Sequence, residues 1–129
     1  LSATGSLLEK HGLVERVTTH LTCHSKMETV LPGNAKGRIR AITFNLGYLP
    51  KGDKSITTRK ETTLPAIRNS YDWLARNGVL SVLCYLGHPG GKNEEEAVRK
   101  LIQDQGWKDE AIPGNESVES PVLHWIEKL

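Results

Sequence analysis

No apolar run in this chain approaches the roughly 20 residues that a membrane-spanning helix needs. The first residues also lack the charged-then-apolar pattern of a secretory signal. Charge of one sign is not in excess. The 17 Lys and Arg against 15 Asp and Glu leave a net +2, too small to identify a nucleic-acid binder by itself. Cysteine is scarce, with only Cys23 and Cys84, and no Cys-x-x-Cys spacing occurs. The five histidines and two cysteines do not assemble a metal-ligand pattern, so no metal site is expected. Both cysteines fall at or inside expected strands. They are expected as buried free thiols of an intracellular, reducing setting, cytoplasmic or organellar, with a Cys23–Cys84 disulfide as the alternative. Repeats, low-complexity tracts and linkers are absent, and 129 residues suffice for one domain with a core of its own. The chain opens at Leu1 rather than Met, as a processed or truncated piece would.

What is present alternates between helix-like and strand-like segments. Residues 1–12 read as a helix with Leu7, Leu8 and His11 on one side, stopped by Gly12. Residues 14–22 are β-branched and read as a strand, and residues 26–31 as a short helix ended by Pro32-Gly33. A second strand is expected over 39–44. Thr62 or Thr63 caps a helix running to Asn77, with Ile67, Tyr71 and Leu74 as its apolar stripe and Gly78 as its stop. Residues 79–85 form a nearly continuous apolar run, as a central parallel strand covered on both faces requires. Asn93 caps a helix over 94–105 with carboxylates in its first turn and Val98, Leu101 and Ile102 facing inward. Two weaker strands, near 110–112 and 121–127, close the chain around a Pro-Gly-Asn turn. This order implies an α/β sheet, mostly parallel, with an antiparallel C-terminal hairpin. His20 and His124 alternate within strands and are expected to be structural or solvent-facing.

The strand over 39–44 breaks into Asn45-Leu46-Gly47-Tyr48-Leu49-Pro50, followed by Lys51-Gly52-Asp53-Lys54-Ser55. A polar amide is thereby placed at the strand's C-terminal edge, where ligands bind in open α/β sheets. This string resembles the Asn-Pro-Pro-Tyr-type loop of S-adenosylmethionine-dependent amino-methyltransferases, with Leu-Gly in place of Pro-Pro. Through Ser55 it is similar to one family of that class, the rRNA methylases, whose bacterial members methylate the aminomethyl group of a modified tRNA wobble uridine. Further matches extend the resemblance over most of the chain. Thr22-Cys23-His24 falls where the family has Asp-Gly-His, Thr62-Thr63 fits its threonine pair, and Gly87-His88-Pro89-Gly90-Gly91 fits its Gly-His-x-x-Gly turn. Asn115, Pro121 and Ile126-Glu127-Lys128 match its closing hairpin.

The resemblance implies a Rossmann-like fold, S-adenosylmethionine as cofactor and tRNA as partner, with rRNA as the alternative. Asn45 would accept an N–H of the target amine and orient its lone pair, or else satisfy the turn backbone. Tyr48 would stack on the base, or be a half-buried loop aromatic. Asp53 would take the amine's proton, or be an ordinary turn Asp beside Gly52. Cofactor contacts are implied at His24, Asn45, Leu46 and Gly47, although Thr22 replaces the acidic partner of His24. Substrate contacts are implied at Tyr48, Lys51, Lys54, Ser55, Thr62, Thr63 and His88. His88 reads equally well as turn structure. The cations Lys51, Lys54, Arg59 and Lys60 suit tRNA phosphates, or form a solvated loop.

The family's Gly-rich cofactor turn and the acid of its second strand have no match. Residues 1–129 are therefore expected to be a partial methyltransferase domain without its first two strands. An exposed central strand edge would then invite a homodimer. The competing function is a catalytically incompetent remnant that binds RNA or a partner.

Overall fold

The computed structural model describes residues 2–47, 57–115 and 120–129. Helix α1 (Ser2–Lys10) ends as expected, where Gly12 takes the left-handed φ of 66°. The expected strand over 14–22 does not form. A 3-10 turn at Val14–Arg16 leads into exposed backbone without regular structure. Val14 and Val17 stand open to solvent there. Their β-branching favours a half-buried pleated surface, and among the described residues no strand pairs with them to supply one. A 3-10 stretch at His24–Thr29 replaces the short helix expected over 26–31.

Strand β1 (Ile39–Leu46), helix α2 (Lys60–Trp73), strand β2 (Leu74–Cys84), helix α3 (Gly91–Gln105), strand β3 (Lys108–Pro113) and strand β4 (Val122–Glu127) follow. The four strands form one mixed sheet in the order β1-β2-β4-β3. β1 and β2 pair in parallel, while β2–β4 and β3–β4 are antiparallel, so the closing hairpin is present. The architecture is mixed α/β.

Register explains where the core sits. Ile42, Phe44 and Leu46 lie opposite Leu80, Val82 and Cys84, which in turn face Ile126, His124 and Val122 of β4. Period-two alternation puts all of these side chains on one sheet face. Ala66 and Ile67 of α2 and Val98 and Ile102 of α3 close over that face, forming one core with Phe44, Leu46, Leu80, Val82, Cys84 and Ile126. Each fully buried aliphatic side chain contributes about 1.5–3 kcal/mol. The opposite face is less covered: Val79, Ser81 and Leu83 are half-buried, and Trp125 is 39% exposed. The reading of β2 as covered on both faces therefore holds for one face only among the described residues.

Several boundaries differ from expectation. Helix α2 begins at Lys60, with Arg59 at the cap position and no side-chain cap, so Thr62 and Thr63 lie inside its first turn. It stops at Trp73 rather than Asn77, because Leu74 turns extended and opens β2 directly. Lys128 holds that end, its Nζ donating to the carbonyls of Tyr71 and Leu74 at 3.0 Å each. A cation at a helix C-terminus satisfies carbonyls the helix leaves orphaned. Gly78 stands within β2, after Asn77 at a φ of 67°. Helix α3 begins at Gly91 behind Gly90, so Asn93 is helical and not a cap.

One buried polar cluster ties α3 to the hairpin. His124 is fully buried, with Nε2 2.9 Å from Glu95 Oε1 and Nδ1 3.0 Å from Asp109 Oδ2. Arg99 adds a donated bond to Glu95 at 2.6 Å. Deleting Glu95 leaves a ring nitrogen of the fully buried His124 without that partner, at a cost of about 1–3 kcal/mol for an unsatisfied buried polar group. Glu95→Ala should lose stability of that order in urea denaturation followed by circular dichroism. A loss below about 1 kcal/mol, the range of exposed pairs, would show the cluster to be idle.

Candidate functional site

Parallel pairing sends the C-terminal ends of β1 and β2 to the same sheet edge, with Leu46 opposite Cys84. The segments that leave these ends lead into α2 and α3, so both helix N-termini return to the same place. Asn45 is the penultimate residue of β1, paired with Leu83, and its side chain is exposed on the face opposite Phe44 and Leu46. The strand runs two residues further than expected and takes Asn45 and Leu46 into the ladder. Gly47 follows at a φ of 122°, a conformation that side chains with a Cβ rarely adopt. A Cβ there would touch His88 Nε2 and Tyr85 at 3.5 Å, so the turn after β2 lies against the end of β1. Gly91 is needed for another reason: a Cβ on it would stand 2.6 Å from the Tyr85 carbonyl.

Two adjoining cavities occupy this edge. One, of about 340 Å³, lies along Leu86–Gly90 with Lys92 and Asn93, and His88 is part of its wall. The other, of about 370 Å³, is lined by Thr57–Glu61 and shares Pro89, Gly90 and Asn93 with the first. Arg59, Lys60 and Lys92, all exposed, surround this groove. Tyr48, Lys51, Asp53, Lys54 and Ser55 lie outside the described residues.

Beneath the groove runs a chain of hydrogen bonds. Thr58 donates its backbone N–H to the Gly47 carbonyl at 2.9 Å, and its Oγ1 accepts the Gly47 N–H at 2.7 Å. The Thr58 hydroxyl donates in turn to Glu94 Oε1 at 2.9 Å. Thr63, wholly buried, donates to Glu94 Oε2 at 2.8 Å, and its Oγ1 is 3.5 Å from His24 Nε2. The Thr62 hydroxyl donates to the Arg59 carbonyl at 3.2 Å. His24 is half-buried and meets Phe44 edge-on, with ring centroids 5.8 Å apart. Burial pulls its pKa below the ordinary histidine value, partly opposed by Glu94.

The structure thus brings His24, Asn45, Leu46, Gly47, Thr63 and His88 to one edge of the sheet. Sequence reasoning missed Thr58 and Glu94. Glu94 was visible as a first-turn carboxylate, which suits the helix dipole in water. Nothing in the run Glu94-Glu95-Glu96 marks the first two as buried, at 4% and 6% exposure. His20 and His24 stand four residues apart, but His20 is exposed outside any helix, and no metal-holding group of side chains occurs among the described residues.

Comparison with known proteins agrees with the layout. Residues 1–120 match the family described as "Putative rRNA methylase". The chain is 45% identical over 101 residues to the chloroplastic tRNA (mnm(5)s(2)U34)-methyltransferase of Arabidopsis thaliana, a match spanning 76% of this chain and 36% of that protein. It superposes on a putative rRNA-methylase from Clostridium thermocellum with a TM-score of 0.88 at 32% identity, covering 99% of this chain and 69% of the other. A putative methyltransferase from Streptococcus mutans, solved in complex with SAH, gives 0.83 at 30% identity, covering 98% and 68%. The chain therefore spans about a third of the length of the curated relative it matches.

The two thiols provide a chemical check on this edge. Both are free, but Cys23 is exposed rather than buried, because the strand expected around it is absent. A hydrogen bond with Ser25 lowers its pKa. Cys84, buried at the end of β2, is pushed up from 9.0 to about 12, chiefly by burial and further by the Glu95 and Glu94 carboxylates. Thiolate is the reactive form. A maleimide at pH 8 should label Cys23 within the folded protein and reach Cys84 only on unfolding. Equal labelling rates of the two would contradict the packing described.

Proposed function

Because the chain belongs to the rRNA methylase family, we propose that its protein is an S-adenosylmethionine-dependent N-methyltransferase acting on the aminomethyl group of a modified tRNA wobble uridine. The observation that carries this reading is Asn45. Its exposed side chain stands at the C-terminal end of a parallel strand, two residues before Gly47, which lies against the turn of His88. The printed activity of the Arabidopsis relative supports the substrate, and the ligand of the Streptococcus mutans protein supports the cofactor. The residues present fit the adenosine end of such a cofactor. The half-buried His24 ring, edge-on to the buried Phe44, offers a ring surface at the C-terminal edge of the sheet.

When bound, the cofactor supplies an electrophilic methyl carbon on a sulfonium sulfur. The chain's own residues handle the nucleophile. The Asn45 side-chain oxygen accepts an N–H of the amine and so holds its lone pair in line, an orientation effect. An alkylamine is mostly protonated near neutrality and must lose a proton before it attacks; we assign that acceptance to Asp53. We assign stacking on the base to Tyr48, and His88 is part of the wall of one cavity. Arg59, Lys60 and Lys92, joined by Lys51 and Lys54, give phosphate contacts that position the RNA without reading its sequence.

Two outcomes test this. In the full-length protein, Asn45→Ala should raise the barrier by about 2–4 kcal/mol, as loss of one transition-state hydrogen-bond donor or acceptor does. Affinity for S-adenosylmethionine, followed by calorimetry, should stay near the wild-type value. Unchanged turnover would remove Asn45 from the catalytic groups. The full-length protein should also methylate tRNA bearing a 5-aminomethyluridine-type wobble base and ignore transcripts lacking it. Equal activity on unmodified rRNA would favour the rRNA reading.

A further inference from the structure

We propose that Tyr85 is a substrate-binding residue whose ring stacks on the pyrimidine that presents its aminomethyl group to Asn45. The inference rests on that reading of the substrate and draws on no residue between Gly47 and Thr57.

Register fixes the position. Leu46 and Cys84 are partners at the ends of β1 and β2, so Tyr85 follows beside Gly47. A Cβ on Gly47 would stand 3.5 Å from Tyr85 Cβ and 3.6 Å from its Cδ2. The tyrosine side chain, and not only its backbone, therefore lies against the end of β1. Burial alternates through Val82, Leu83 and Cys84, and Tyr85 continues the alternation on the exposed side. It shares the open face with Leu83, which is the register partner of Asn45. Asn45 and Tyr85 are thus diagonal neighbours on one face. A strand spacing of about 4.8 Å and a rise of about 3.3 Å per residue put their Cα atoms about 8 Å apart. An aromatic side chain spans much of that distance.

The substrate has matching dimensions. A single methylene joins the amine to the pyrimidine, so an amine within hydrogen-bond reach of Asn45 brings the ring along with it. The base then lies in the space that a diagonal neighbour of Asn45 can reach. Gly47 leaves that space open, having no side chain of its own. Tyr71 uses its ring on Trp107, with centroids 4.3 Å apart, whereas Tyr85 is 44% exposed. Stacking on an aromatic ring is tolerant of base identity, because every base has a π-face. Tyr85 accordingly supplies position, and the amine contact at Asn45 supplies selectivity.

Trp125 provides the contrast. It is 39% exposed on the same face, but its partner is Ser81, and β2 separates it from Asn45. Exposure alone therefore does not single out Tyr85; its place beside the Asn45 strand end does.

The test uses the full-length protein. Tyr85→Leu removes the flat ring, and Tyr85→Phe keeps it. Tyr85→Leu should lower kcat/KM for modified tRNA about 10- to 100-fold, the range of one base–aromatic stack. Tyr85→Phe should stay near the wild-type value, as should Trp125→Leu. Calorimetry should show the affinity for S-adenosylmethionine unchanged in all three. An anticodon stem-loop carrying 5-iodouridine at the wobble position should crosslink to Tyr85 on irradiation, mapped by mass spectrometry of the adduct peptide. Wild-type kcat/KM in Tyr85→Leu would overturn the proposal. So would a loss of cofactor affinity equal to the loss of rate, or a Trp125→Leu variant that reproduces the defect. If the wild-type protein methylates no tRNA amine, the substrate reading fails by itself. The crosslink then decides the base contact, supporting it if Tyr85 carries the adduct and defeating it if Tyr85 does not.

Discussion

The parallel pairing of β1 with β2 is the constraint on which the rest depends. With Leu46 opposite Cys84, the two strands end level with each other. The segments that leave them must therefore start from one edge. Since α2 and α3 pack on the same face of the sheet, their N-termini come back to that edge as well. Four chain passages thereby converge on the groove beside Gly47, His88 and Gly90. A slip of one residue in this register would carry Asn45 to the core face and Phe44 to solvent. The burial of Ile42, Phe44 and Leu46 against α2 and α3 opposes that slip. Packing on one face therefore holds the polar amide on the other.

Two consecutive buried carboxylates divide the polar work of α3. Placing charge inside a core is unfavourable unless donors surround it. Glu94 and Glu95 satisfy this requirement in different directions because adjacent helical positions point about 100° apart. Glu94 turns to the hydroxyls of Thr58 and Thr63, at the groove. Glu95 turns to His124 and Arg99, at the hairpin. The helix is thus fixed on both flanks without a disulfide or a large aromatic core. His24, whose pKa burial lowers, extends the first network to the ring of Phe44.

The sheet is unequally covered. Leu80, Val82 and Ile126 are fully buried on one face, while Trp125 and Ile112 remain 39% and 42% exposed on the other. Asn45 belongs to the open face, so the group assigned to the amine projects where nothing in the described chain covers it. The groove that Arg59, Lys60 and Lys92 line lies at the adjoining edge.

Much of the fold was legible because period alone specifies it. The alternation in Ile42-Thr43-Phe44 and the apolar run from Val79 read as strands, the 3.6-residue stripe around Val98 and Ile102 read as a helix, and the closing hairpin was placed within two residues of its observed bounds. The loop string beginning at Asn45 likewise carried its family resemblance in residue identity alone. Tertiary structure decided what local preference cannot see. Residues 14–22 have the composition of a strand, but a strand exists only by pairing, and among the described residues no strand pairs with them. Thr63 has the chemistry of a cap, but Arg59 turned extended first, and the hydroxyl went to a carboxylate from a helix 31 positions later in the chain. Glu94 and Thr58 became visible as a pair only in three dimensions, because the hydrogen bond that joins them spans 36 positions. Periodicity reports which way a side chain faces within its own element. Which distant donor completes a buried charge depends on how the elements pack.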